Sequence, residues 1–243
     1  MLTTNILFSG ILKIISLLTS LLIVPITINY LNNEVYGIWM TITSMLFWIS
    51  TFDIGLGNGM RNYLTKAISE KNLALGRKYI STTLSLLSLI AITIGFFLLI
   101  PLFTINFNKF FNTFAISNVD LRNALFVALA FTLLNFVTKN IGLIFVAMQK
   151  YAINDLLSVL GNLLSLAIIF ILTKTTSPNL LYVIFTYTAT QCFVYLFAAI
   201  PLFTKYKELR PSLNYFDWSL SRQIVGKGLG FFVIQISSCL VIF

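Results

Sequence analysis

Long apolar runs alternate with short polar connections along the whole chain. A bilayer-spanning helix needs about 20 apolar residues. By that measure the pattern predicts six complete spans: Ile6 to Tyr30, Tyr36 to Leu56, Tyr79 to Thr104, Asn123 to Met148, Leu156 to Thr173 and Leu180 to Thr204. A seventh begins near Lys227 and runs to Phe243, the last residue of the sequence. The expected fold is all-α and polytopic. Residues 1–204 read as a six-helix transmembrane lobe, 205–226 as a cytoplasmic basic amphipathic connection, and 227–243 as the start of a second lobe.

The most informative connection is FDIGLGNGMRNYLTKAISEKNLALGRK, from Phe52 to Lys78. Asp53 stands at the edge of an apolar run, and Gly55, Gly57 and Gly59 alternate behind it. Such glycines break a helix and let the backbone pass close to another surface. Met60, Tyr63, Leu64, Ala67 and Ile68 then recur at helical spacing, with Arg61 and Lys66 between them. This predicts a helix at the membrane surface, apolar face in the acyl boundary and basic face among headgroups. Arg61, Lys66, Arg77 and Lys78 are the expected membrane-surface residues.

Composition narrows the class. The chain is 58% hydrophobic and only 9% charged, with mean hydropathy +0.93, whereas ordinary soluble chains are about one quarter charged. The net charge of +9 lies in the connections, which points to orientation and to anionic membrane lipid rather than to nucleic acid. The second connection holds Arg61, Lys66, Lys71, Arg77 and Lys78, and the sixth Lys205, Lys207, Arg210, Arg222 and Lys227. The first carries only Glu34. Positive loops remain cytoplasmic, so the N-terminus is expected in the cytoplasm. The first run lacks a small-residue cleavage site and reads as an uncleaved helix. Without histidine, a His-based zinc site or catalytic triad is excluded, and no metal site or cofactor is expected. Cys192 and Cys239 lie inside apolar runs and read as buried free thiols. No GxxxxGK[ST] phosphate loop is present, and the glycine run lacks the strand a dinucleotide site needs.

Polar residues recur on single helix faces. Ser9, Lys13, Ser16, Ser20 and Thr27 form one stripe; Thr132, Asn135, Lys139 and Gly142 form another; Asp155, Ser158, Asn162 and Ser165 a third. Small and hydroxylated residues at such positions are common packing contacts between membrane helices. Lys139 stands apart, because a charge near the bilayer midplane costs at least about 2.5 kcal/mol and needs a cavity or a partner. Asn135, one turn away, is its expected hydrogen-bond partner. Asp53 has three readings: an ion pair with a lysine, a site for a coupling cation, or a helix end at the interface.

Three segments carry a family resemblance: Tyr30-Leu31 with Tyr36-Gly37-Ile38-Trp39, then FDIGLGNGMRNYLTKAISEKN, then GRKYISTTL. Through them the chain resembles the bacterial polysaccharide exporters, lipid-linked oligosaccharide (O-antigen) flippases of the multidrug/oligosaccharidyl-lipid/polysaccharide superfamily. The resemblance implies two helical lobes around a central cavity in the bacterial inner membrane. It implies an undecaprenyl-pyrophosphate-linked glycan as substrate, coupling to a proton or sodium gradient, no nucleotide hydrolysis, and other polysaccharide-assembly proteins as partners. On that reading Lys139 and Lys13 are the candidate partners of the pyrophosphate, and Asn135, Asn162 and Gln191 those of sugar hydroxyls. The chain matches the first lobe and a fragment of the second. Two rivals stand beside this reading. A drug or cation antiporter of the same superfamily should show acids deep in its first lobe. A membrane-embedded glycosyltransferase or polymerase should carry a larger and more charged outside loop than Ile105 to Arg122.

Overall fold

The computed structural model describes residues 2–51, 53 and 55–242, so Phe52 and Ile54 of the glycine-rich segment lie outside the described residues. No strand occurs among the described residues. The elements are α1 (Leu2–Leu31), α2 (Asn33–Thr51), α3 (Leu56–Ser69), α4 (Leu73–Thr104), α5 (Phe107–Phe111), α6 (Asn118–Thr138), α7 (Asn140–Ala147), α8 (Tyr151–Thr175), α9 (Leu180–Lys205) and α10 (Trp218–Ile242). Their ends follow local chemistry. Asn72, Asn106, Ser117 and Asn179 each accept a backbone N–H from the first turn they precede, the capping role of such side chains. Asn32, Lys71, Asn112 and Gln149 take the left-handed conformation at helix ends.

Five helices are long and apolar enough to cross a membrane: Phe8–Leu31 of α1, α4, the α6–α7 pair, α8 and α9. The protein is a multi-pass membrane protein. α2 falls outside that set, being short and opening on Asn33 and Glu34; the hydroxyls of Thr41, Thr43, Ser44 and Ser50 each donate to a carbonyl of their own helix. α1 lies along α8 and α6 along α9. At one end, Tyr30 donates to the Ser177 carbonyl and pairs with Thr176, while Thr113 donates to Glu34. The opposite end gathers α3, α7 and the first turns of α10.

One expectation is corrected here. The second span does not reach Leu56: α2 stops at Thr51, and Leu56 opens α3. The fourth is one 30-residue span, Asn118–Ala147; at the α6–α7 junction Lys139 keeps helical dihedrals and its N–H bonds the Asn135 carbonyl, while the Gly142 N–H turns to the Lys139 carbonyl and tightens the turn. The helix that carries the seventh run starts at Trp218, so the basic segment forms its first turns. Asp217 starts that helix, accepting N–H bonds from Ser219 and Leu220.

The glycine run behaves as its composition predicts. Gly55 adopts φ +65°, a region that favours glycine. A Cβ there would sit 2.3 Å from the Gly228 carbonyl oxygen of α10, and one on Gly59 would lie 2.8 Å from that of Ile224. On Gly57 it would lie 2.1 Å from Asn140 Oδ1 of α7. α3 is therefore clamped between two helices. Its apolar face is not in the acyl boundary: Met60, Leu64 and Ala67 are buried in protein, packed with α4, α7 and α10. A hydrophobic stripe marks a face that must be covered but does not say by what.

The segment between α9 and α10 is strapped across the start of α4. Ser81 and Thr82 hydroxyls accept the backbone N–H groups of Ser212 and Asp217. Leu209 is buried beside Gly76. Arg77 Nε donates to the Arg210 carbonyl at 2.7 Å, and its guanidinium lies 3.9 Å from the Tyr215 ring centre. Lys78 pairs with Asp217 at 3.5 Å.

Two outcomes follow from this packing. Gly55→Ala and Gly57→Ala should each destabilise by about 1–3 kcal/mol in thermal unfolding in detergent. Gly10→Ala, with open space around it, should be neutral or stabilising by up to about 1 kcal/mol. Partial burial opposes ionisation of Asp217, but the amides of Leu220 and Ser219, the Ser219 hydroxyl and the Lys78 ammonium outweigh it and hold the carboxyl below its ordinary value. A lowered carboxyl stabilises the fold above its unfolded-state pKa of about 4 and loses that contribution as pH falls through the folded value. Acid titration of Trp218 fluorescence should show the strap loosening there, and Asp217→Asn should abolish that dependence.

Candidate functional site

The end of α2 meets the α6–α7 junction. Lys139 stands at that junction, and its Nζ donates to the Ser50 carbonyl at 3.0 Å in the last turn of α2. It also pairs with Asp53 Oδ2 at 3.3 Å. Asp53 Oδ1 accepts the Gly55 N–H, which sets the turn into α3. The ammonium thus satisfies a carbonyl at a helix C-terminus, where the dipole favours a cation. α2 has 19 residues, a length of roughly 28 Å. The Lys139 ammonium therefore stands level with one end of α2. The ion-pair reading of Asp53 is the one the geometry shows.

Asn135 does not hydrogen-bond Lys139 through its side chain. Its backbone carbonyl accepts the Lys139 N–H, and its Oδ1 is buried without a partner among the described residues. Asn140, fully buried, donates to the Phe136 and Val137 carbonyls and faces Gly57 with its own Oδ1.

Asn162 and Gln191 are brought together. Gln191 Nε2 donates to Asn162 Oδ1 at 2.7 Å, and Asn162 Nδ2 donates to Ser16 at 3.0 Å. This amide chain ties α9 to α8 and α8 to α1. Gly161 makes it fit, since a Cβ there would collide with the Gln191 amide. Ser165 and Thr190 hydrogen-bond beside it. Lys13 is exposed on α1, three residues before Ser16, hence on the same helix face. It has no polar partner among the described residues.

Of the expected surface residues, Lys66 is exposed and pairs with Glu70 at 3.8 Å, and Arg61 lies over the Phe231 ring. Arg77 and Lys78 belong to α4, where they hold the strap. Cys192 is a buried free thiol, and the side chain of Cys239 lies outside the described residues.

Beside the amide chain lies a cleft of two compartments. One, of about 220 Å³, is lined by Thr19, Ser20, Thr27, Trp39 and Asn162 among others. The second, of about 550 Å³, is lined by Ser44, Ser50, Thr132, Asn135 and Gln191 among others. Thr43 and Tyr187 line both. Trp39 meets Tyr187 edge-on, with ring centres 5.2 Å apart. The α2 side of this cleft was not anticipated from sequence. A signal existed, since Tyr36, Trp39, Thr43 and Ser50 recur at spacings of three, four and seven.

The model of the polysaccharide biosynthesis protein family matches residues 2–242. The chain belongs to that family. No curated protein matches it. Among solved structures, it is similar to an outward-facing multidrug resistance transporter of the multidrug and toxin extrusion family, in the multidrug/oligosaccharidyl-lipid/polysaccharide superfamily. The TM-score is 0.74 at 19% identity, over 98% of this chain and 54% of that one. It is also similar to a transporter of that superfamily from Pyrococcus furiosus, described by the reversed polarity of its binding pocket. There the TM-score is 0.73 at 18% identity, again over 98% of this chain and 54% of the other. This polysaccharide biosynthesis protein therefore has the fold of that superfamily and spans about half the length of the solved transporters it matches. Its Tyr30-Leu31 and Ile38-Trp39 motifs lie in the core shared by α1, α2, α4, α5, α6, α8 and α9.

The ion pair makes a measurable claim. Lys139→Met leaves Asp53 without its cation and the Ser50 carbonyl without its donor, and should destabilise by about 1–3 kcal/mol. Asp53→Asn should cost less. The double variant should be less destabilised than the sum of the two, a coupling of about 0.5–3 kcal/mol in a thermal-unfolding mutant cycle.

Proposed function

We propose that this chain is the first lobe of a flippase that moves an undecaprenyl-pyrophosphate-linked oligosaccharide across the bacterial inner membrane. The observation that carries the reading is the cleft between the membrane helices, lined by hydroxyls, amides and aromatic rings in a polysaccharide biosynthesis family member. Sugar rings present hydroxyls for the first two and apolar faces for the third. A headgroup of that kind crosses a low-dielectric layer only inside a polar cavity.

In this reading Asn162, Gln191 and Asn135 face the glycan. Lys13, two turns before Ser20 on one face of α1, receives the pyrophosphate at the cytoplasmic mouth, with the N-terminus on that side. The basic residues of α3 and of the α4 start, Arg61, Lys66, Arg77 and Lys78, stand on the cytoplasmic side near anionic lipid. Asp53 and Lys139 form the pair that an ion gradient acts on. Transport, not bond chemistry, is the activity. A drug or cation antiporter is the less favoured reading, because no carboxylate lines either compartment among the described residues.

The test is translocation of a fluorescent lipid-linked oligosaccharide in proteoliposomes holding the full-length gene product. Asn162→Ala with Gln191→Ala should lower the rate at least tenfold, and Lys13→Ala should lower it for the pyrophosphate-linked probe. A background rate in the unmodified protein, or full activity in the double variant, contradicts the proposal.

A further inference from the structure

The cleft described above has a polarity that narrows its ligand. Thr19, Ser20, Thr27, Thr43, Ser50 and Thr188 each donate their hydroxyl proton to a carbonyl of their own helix. Their protons are thereby spent, and what each oxygen offers a ligand is lone pairs. Trp39 and Tyr187 add aromatic faces, the negative side of the ring quadrupole, with an indole N–H and a phenol at their edges, and Asn135, Asn162 and Gln191 add amides. No charged side chain lines either compartment among the described residues. The nearby cation, Lys139, is engaged by Asp53 and by the Ser50 carbonyl.

Such a wall offers lone pairs, a few donors and apolar ring faces, but no charge. It repels carboxylates and sulfates, which are acceptors only when ionised and find no cation to replace their water. Full cations find acceptors but no countercharge. Two compartments joined at Thr43 and Tyr187 suit a ligand of consecutive rings.

We infer that this wall selects an uncharged oligosaccharide, with successive sugars on either side of Thr43 and Tyr187. The inference rests on the glycan reading above and adds the class of glycan.

The test uses the full chain in nanodiscs as Trp218→Phe, leaving Trp39 and Trp48, both of which line the cleft, as reporters. Two probes of equal length are titrated at neutral pH: maltotriose, uncharged, and trigalacturonic acid, with three carboxylates. Maltotriose should shift tryptophan emission saturably, and trigalacturonate should need at least tenfold higher concentration. The gap should narrow as pH falls and the uronic carboxyls protonate. Asn162→Lys, which places an ammonium in the cleft, should raise trigalacturonate affinity at least tenfold. If trigalacturonate binds the parent protein as well as maltotriose or better, the selection for uncharged glycans is wrong and the glycan reading stands. If neither saccharide changes the emission, with or without a response to tetraphenylphosphonium, the glycan reading itself fails.

Discussion

One ammonium group ties the end of one helix to the tightened junction inside another. In a bilayer, the last carbonyls of a helix have no water to bond. α2 ends at Thr51, and Lys139 reaches from the α6–α7 junction to take the Ser50 carbonyl. The cation is itself expensive to place among apolar helices, and Asp53 compensates it while shaping the turn to Gly55. The α6–α7 junction thus supplies the donor that the Ser50 carbonyl at the end of α2 takes.

The same arrangement explains why the neighbouring cleft is neutral. Lys139 is engaged by Asp53 and the Ser50 carbonyl, and the hydroxyls of Thr19, Ser20, Thr27, Thr43, Ser50 and Thr188 are satisfied along their own helices. The surface still differs from its lipid-facing surroundings, since those oxygens keep lone pairs.

Much of this was legible in the residues. Apolar runs near 20 residues long have few alternatives to membrane helices, and Gly55, Gly57 and Gly59 announced a close backbone approach. The pairing of Lys139 was not settled by sequence: its partner Asp53 is remote along the chain, and only the fold brings the two together. The face of α3 misled for another reason. Met60, Leu64 and Ala67 make the same stripe whether lipid or protein covers them, and only the tertiary fold decides. The pairing of Asn162 with Gln191 likewise depends on how α8 and α9 are rotated, which spacing within either helix does not encode.

The placement of α10 binds these features into one body. Its carbonyls at Ile224 and Gly228 lie where side chains of Gly59 and Gly55 would be, so α10 and α3 touch backbone to backbone. Side chains yield by rotating about their bonds, whereas backbones in contact yield only by moving the helix. Asp53 is two residues from Gly55 and joined to it by a hydrogen bond, and Lys139 and Ser50 link Asp53 to the wall of the cleft. The strap holds the start of α10 to α4 through Lys78 and Thr82. The glycine run is thus more than a break between spans: it lets α3 and α10 touch backbone to backbone beside the Asp53–Lys139 ion pair that the cleft borders.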